Sequence, residues 1–304
     1  MHICTVFTGG TISCSEHSGV LSPDSGNGRL LLHMARQAGI KAAFTTTQPY
    51  IVLSENLSAA HLRQLRACIE AQLQQPFDGM IVTHGTDTLP YTAAYLDYIF
   101  GGCGVPIVLV SANYPLHDAR SNGLANFAAA VAVIAAGESG VFVTYQNTGD
   151  AFTTVHRGRE VLPQQPYEDA LYSLFQTPFG KTENGVFVKN PRHTAGDRQT
   201  FPHSELSGNV LFLRPYVGAT YPAVPRGVKA VLLEGWHSGT LPTANQELKD
   251  FCRTAREHEV PVYLTGCTQG FAYESKQAYQ ALGIRVLPPM SPVAAYMRLW
   301  LADT

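Results

Sequence analysis

The stretch GMIVTHGTDTLPYTAAYLDYIF, residues 79–100, holds two periodicities with a polar break between them. GMIVTHG (79–85) opens as a short, almost continuous apolar run, the composition of a strand buried on both faces. In TLPYTAAYLDYIF (88–100), Leu89, Thr92, Ala93, Leu96 and Phe100 fall on one helical face. His84, Gly85, Thr86 and Asp87 stand at the break. A strand that runs straight into a helix opens a parallel βαβ unit, and reactive groups in such sheets sit just beyond the carboxyl ends of the strands.

The same punctuation extends in both directions. ICTVF (3–7) closes on the turn TGGT, VPIVLVSAN (105–113) precedes the helix GLANFAAAVAVIAAG (123–137), and GVFVTYQN (140–147) follows as a strand. Residues 148–207 break the rhythm with prolines, glycines and glutamines, and read as an irregular connection with a hairpin at NGVFVKN (184–190). Alternation resumes with NVLFLRPY (209–216), KAVLLEGWHSGT (229–240), the helix NQELKDFCRTAREH (245–258), the strand VPVYLTGCTQG (260–270), the helix SKQAYQALG (275–283) and SPVAAYMRLWLA (291–302). The expected class is α/β. A larger N-terminal domain (1–190) has a mostly parallel sheet covered by helices on both faces, a linker covers 191–207, and a smaller α/β domain covers 208–304.

Composition narrows the function classes. The 304 residues are 45% hydrophobic and only 14% charged, with a net charge of −2 and no Lys/Arg-rich run, so neither nucleic acid nor an anionic membrane is expected as partner. No basic segment leads into an apolar stretch with a cleavage site, and no apolar run approaches the ~20 residues that span a bilayer. Cys4, Cys14, Cys68, Cys103, Cys252 and Cys267 lack CxxC spacing, which fits reduced thiols in a cytoplasmic protein. TGGTIS lacks the GxGxxG spacing of a dinucleotide site, and no His/Cys/Asp cluster has metal-ligand spacing, so no cofactor or metal is expected.

Two stretches carry candidate chemistry. Thr8 ends the first strand on Gly9-Gly10-Thr11. A hydroxyl there becomes a nucleophile if a base takes its proton, and glycines let substrate approach backbone N–H groups that can stabilise an oxyanion. The plainer reading is a turn, with Thr11 as a cap. In the second stretch Asp87 could bind a substrate ammonium near a helix N-terminus, and the plainer reading is helix capping. Cys14 would be a stronger nucleophile than a hydroxyl, but has no identifiable base.

Taken together, TGGTI near the N-terminus and HGTDTL some seventy residues later resemble the asparaginase/glutaminase family of amidohydrolases. PIVLVSAN and RSNGLANFAAAV look like that family's next strand and helix, and LLEGWHSGT and VPVYLTGCTQG look like its C-terminal domain. The resemblance implies hydrolysis of a side-chain amide of the L-asparagine type through an acyl-enzyme, with ammonia released and no cofactor. By the same resemblance Thr8 is the nucleophile, Thr86 belongs to a second catalytic group, and Asp87 grips the substrate's α-amino group. Gly9, Gly10, Thr11 and Gly85 line the substrate. Ser54 and Glu55, in IVLSENLS, stand where the family places residues on the α-carboxylate and α-amino groups. A small-molecule substrate, and a homo-oligomer (dimer or tetramer) with sites at subunit contacts, are implied too. GWHSGT would then close a neighbouring subunit's site or be an ordinary turn. Trp236 and Trp300 read as packing residues.

Two departures stand out. The family's loop tyrosine after TGGT falls on Val20, and the loop SCSEHSGVLSPDSG (13–26) has no tyrosine. The family's lysine falls on Pro163 in HRGREVLPQQP, and no lysine occurs between Lys41 and Lys181. His84, His117, His156, Arg157, Arg159 and a folded-back Lys181 are the candidate stand-ins. The alternatives are a diverged hydrolase for a modified amide or ester, and a catalytically weak amino-acid-binding protein.

Overall fold

The computed structural model describes residues 1–302 apart from 18–19, 24–25, 195, 197 and 268–272, and of residues 16, 17, 21 and 23 it describes the backbone alone. Parts of the loop 13–26 and the end of VPVYLTGCTQG therefore lie outside the described residues. The chain forms two compact units, Met1–Pro202 and His203–Thr304.

In the first unit the elements are β1 (His2–Val6), β2 (Cys14–His17), β3 (Val20–Pro23), α1 (Asn27–Gln37), β4 (Ala43–Thr47), α2 (Ala59–Gln72), β5 (Gly79–Thr83), α3 (Leu89–Phe100), β6 (Ile107–Val110), α4 (Gly123–Ala135), β7 (Val141–Tyr145), β8 (Thr153–Arg157), β9 (Gly180–Glu183) and β10 (Val186–Lys189). Eight strands share one sheet in the order β10-β9-β8-β7-β6-β5-β1-β4. From β4 to β7 all pairings are parallel, and the last three strands join antiparallel. The expected hairpin is the β9–β10 pair. It lengthens the sheet, so the irregular connection contributes three strands in all. β2 and β3 form a separate antiparallel pair.

Strand alternation sorts the core into two layers. Ile81, Val108 and Phe142 join Leu31 and Leu32 of α1 and Phe127, Ala130 and Ile134 of α4 in one cluster. Met80, Val82, Leu109 and Val143, equally buried, point to the opposite side, where α2 and α3 lie. The sequence pattern predicts one apolar face on α3, yet all twelve residues Leu89–Phe100 are shielded, Tyr91 alone remaining half-buried. The extra cover comes from the turn Gly158–Glu160 and from residues expected to be a linker. Phe201 donates its N–H to Tyr98 O (2.6 Å) and lays its ring against Tyr98 at 5.5 Å. As far as Pro202, that stretch belongs to the first unit.

The second unit comprises β11 (Asn209–Leu213), β12 (Val228–Glu234), α5 (Gln246–Glu257), β13 (Val262–Thr265), α6 (Glu274–Leu282), β14 (Ile284–Val286) and α7 (Pro292–Leu301). Its four strands are parallel, in the order β11-β12-β13-β14. Leu248, Phe251 and Ala255 of α5 pack with Val231, Leu233 and Leu264, whereas Ala295 and Leu299 of α7 pack with Ala230 and Leu232. GWHSGT is a turn after β12, with Gly239 O accepting from the Tyr279 hydroxyl at 2.9 Å. Trp236 is 40% exposed there and so is not a core residue, while Trp300 donates to Gly208 O.

Among the described residues no helix is long and apolar enough to cross a membrane, and no group of His, Cys, Asp and Glu is placed to hold a metal ion. All six cysteines are free thiols.

Candidate active site

β1 and β5 are parallel neighbours with Val6 beside Val82, so both strands deliver their next residues to the same carboxyl edge. Thr8 emerges from one and His84 from the other. Thr8 is 2% exposed. Its N–H donates to Thr83 Oγ1 (3.3 Å), its hydroxyl donates to Thr83 O (2.5 Å), and its carbonyl accepts from Val52 N–H (3.1 Å). Thr83, which the sequence reading passed over, thus fixes the hydroxyl's rotamer.

The two glycines are dictated by what lies against them. Gly9 and Gly10 have φ of 110° and 78°, a region that side chains avoid. A Cβ on Gly9 would stand 2.2 Å from Val52 O, and one on Gly10 would stand 2.3 Å from Gly85 N. The two sequence motifs therefore meet backbone to backbone. Gly10 N–H donates to Val52 O at 3.2 Å. The N–H groups of Thr8 and Gly10 are both engaged, so neither serves an oxyanion in this arrangement.

Ser54 arrives from a short turn, Ser54–Asn56, that precedes α2. Its buried hydroxyl lies against Gly85 and donates to Asp87 Oδ2 at 3.0 Å, and its carbonyl accepts from Thr88 Oγ1 at 2.9 Å. Asp87 itself is exposed and Thr86 half-buried. Thr8, Gly9, Gly10, Gly85, Ser54 and Asp87 form one connected set. Thr11 is half-buried at the start of a turn whose Ser13 N–H donates to Gly10 O (2.8 Å). Glu55 is exposed. Among the described residues no side-chain hydrogen bond joins Glu55 or Thr86 to the set. Glu55 does face Cys14, whose thiol donates to Gly10 O at 3.3 Å. Burial first, and the Glu55 charge second, push that thiol's pKa up, which disfavours the thiolate a Cys nucleophile needs.

The candidate stand-in bases are placed for other work. His84 is buried, with Nδ1–H donating to Gly85 O (2.8 Å) and Nε2 accepting from Thr92 Oγ1 (2.8 Å). Burial lowers its pKa to about 4, against a weaker opposing effect of the Gly85 carbonyl. His156 is buried on β8 beside Ser173 Oγ (2.8 Å), and burial lowers it to about 3. Arg159 is buried in an ion pair with Asp97 (2.9 Å), Arg157 lies over Phe142, and His117 is exposed. Lys181 pairs with Glu183 at 2.8 Å on β9, four strands from β5, roughly 19 Å across the sheet at ordinary strand spacing. Val20 is 62% exposed. Tyr50 also went unread in the sequence: it lies between β4 and the Ser54 turn, and its hydroxyl faces Thr8. The pairing of Gly9 with Val52 helps bring it there, and no local pattern announces such a contact.

Residues 2–193 match the family described as "Asparaginase, N-terminal". The chain belongs to the asparaginase family. Asparaginases also share its fold. The thermostable L-asparaginase from Thermococcus kodakarensis superposes with a TM-score of 0.79 at 23% identity, covering 99% of this chain and 92% of that one. L-asparaginase I from Vibrio cholerae superposes with a TM-score of 0.75 at 23% identity, with the same coverage of 99% and 92%. A curated relative in Methanococcus maripaludis, one of the subunits of a glutamyl-tRNA(Gln) amidotransferase, is 27% identical over 82% of this chain. The chain spans about three fifths of the length of such relatives, 62% in this case.

Proposed function

We propose that this asparaginase-family chain hydrolyses the side-chain carboxamide of L-asparagine, or of a related small amide, through an acyl-enzyme on Thr8, and so releases ammonia. The observation that carries the reading is the backbone contact between Gly10 and Gly85. It sets the buried Thr8 hydroxyl in the same connected set as the exposed, Ser54-oriented Asp87 carboxylate. In this reading Asp87 binds the substrate ammonium, Ser54 holds Asp87 and meets the substrate carboxylate, and Thr86 belongs to a second catalytic group. Gly9, Gly10, Thr11 and Gly85 form the backbone walls, and Glu55 gives the rim a second negative charge.

The test is ammonia release from L-asparagine, D-asparagine, L-glutamine and asparaginyl derivatives. Thr8→Ala is expected to lose at least about 10³-fold in kcat, as the removal of a nucleophile does. Turnover that survives Thr8→Ala would sink the reading. Thermal stabilisation by an amino acid with no product would turn it toward a binding protein.

The amidotransferase relatives favour a second reading. The chemistry is the same as far as ammonia, which is then handed to another protein for amidation. Tight coupling would show as weak ammonia release by the chain alone. Full turnover of free asparagine without a partner would count against it.

A further inference from the structure

The proposed chemistry leaves one proton without a carrier. Thr8 must lose its hydroxyl proton as it attacks, and the departing amide nitrogen must gain one. In the resting site the Thr8 hydroxyl donates to Thr83 O, and a backbone carbonyl can hold that proton but cannot take it. His84 is locked between Gly85 and Thr92, and the β2–β3 pair carries no tyrosine.

The segment after β4 offers the group that is missing. Phe7 N–H donates to Thr47 O (2.9 Å), Val52 N–H to Thr8 O (3.1 Å) and Gly10 N–H to Val52 O (3.2 Å), so residues 47–52 run alongside 7–10. Tyr50 lies in that run. Its ring packs on His61 of α2 with centroids 4.9 Å apart. His61 is itself tied down, with Nδ1 accepting from Ser58 N–H at 3.2 Å. The Tyr50 hydroxyl is buried and has no hydrogen-bond partner of regular geometry, although the Thr8 side chain stands beside it. An unsatisfied buried hydroxyl costs stability, and this one stands beside the hydroxyl proposed as the nucleophile.

We propose that Tyr50 is a catalytic residue that relays the proton between Thr8 Oγ and the leaving nitrogen, taking the part that a loop tyrosine would otherwise play. This rests on the amidohydrolase reading of Thr8. In acylation the Thr8 Oγ–carbon bond forms and the carbon–nitrogen bond breaks. The Thr8 proton passes to Tyr50 Oη while the Tyr50 proton passes to the nitrogen, which leaves as ammonia. In deacylation a water attacks the ester, its proton passes to Tyr50, and the Tyr50 proton returns to Thr8 Oγ. Tyrosine ends each half-reaction neutral, so no side chain that titrates near pH 7 is required. Burial raises the phenol's pKa, with the Thr8 side chain working against that shift, and such a phenol stays protonated at neutral pH and able to donate.

Tyr50→Phe keeps the ring on His61 and removes only the hydroxyl. The variant, Thr8→Ala and the unmodified chain are assayed on L-asparagine and on the side-chain para-nitrophenyl ester of aspartate, whose phenolate leaves without a proton. The expected result for Tyr50→Phe is a loss of about 10²–10³ in kcat on the amide, in the range typical of general acid–base help. On the amide, KM should change by less than about threefold; kcat/KM, which reports acylation, should fall at least about tenfold less on the ester than on the amide; and the melting temperature should hold. Amide turnover within about threefold of the unmodified chain, or equal losses of kcat/KM on amide and ester, overturns the relay while leaving Thr8 as nucleophile. Thr8-dependent cleavage of the ester by the unmodified chain with no amide cleavage overturns it too. Turnover that survives Thr8→Ala, or no turnover of either substrate by the unmodified chain, removes the proposed function and this inference together.

Discussion

Gly10 shows how much a single residue decides. Its φ is 78°, and the place of a Cβ is filled by Gly85 N at 2.3 Å. Gly39 has a nearly equal φ of 79° with nothing within 4 Å. The pair separates backbone strain from steric contact. Gly39→Ala is expected to cost about 1 kcal/mol, the ordinary penalty for a side chain at positive φ. Gly10→Ala must also push two chain segments apart, and is expected to cost about 3 kcal/mol or more and to abolish turnover. Urea unfolding of both variants decides the matter, since equal costs would show that the contact with Gly85 carries no weight. That glycine belongs at this turn was legible in TGGT. That its neighbour is Gly85 was not, because no spacing rule links residues so far apart in sequence.

Among the elements, α3 is the piece on which the site is mounted. His84 at its approach is bonded to Thr92 within it, and Arg159 binds it from the far side through Asp97. Arg159 also donates to Gln199 O and lies over the Tyr98 ring at 4.4 Å. A buried pair broken on one side leaves an uncompensated charge. Arg159→Met is therefore expected to destabilise by about 3–5 kcal/mol, and Arg159→Met with Asp97→Leu by distinctly less. A double-mutant cycle by denaturant unfolding measures the coupling, and additive losses would refute it. The sequence offered Arg159 as a stand-in for the family's missing proton-transfer groups. It is a brace instead, because Asp97, the one charged residue of α3, needs a partner once buried.

For the molecule as a whole, the two buried histidines shape the response to acid. His84 and His156 fall to about 4 and about 3 in the folded protein, from 6.5. Below pH 6.5 the unfolded chain therefore binds more protons than the folded one, and stability falls as pH drops through that window toward the folded values. The stabilisation is complete above about pH 7. Each histidine accounts for a few kcal/mol across its whole range, an upper bound for groups this deeply buried. Unfolding midpoints should fall steadily between about pH 6.5 and 4.5. His156→Gln should flatten that fall by about 2 kcal/mol between pH 6.5 and 5. A slope unchanged by His156→Gln would show that His156 is not buried neutral.

The α/β class, the two alternating halves and the motifs TGGT and HGTD at strand ends were all readable in the chain without coordinates. Each of these is written in short-range periodicity and turn chemistry, which act over a few residues. So was the absence of a tyrosine from residues 13–26 and of any lysine between 41 and 181. Which groups surround Thr8 is a matter of folding in three dimensions. Thr83 reaches it because β1 and β5 are parallel neighbours in register. Ser54 reaches Asp87, and Tyr50 comes to lie beside Thr8, because the chain after β4 pairs with Gly9. Packing likewise lays Phe201 over α3 and leaves His84 and His156 buried and neutral. These are long-range contacts fixed by sheet order and packing, and a chain read one residue at a time does not record them.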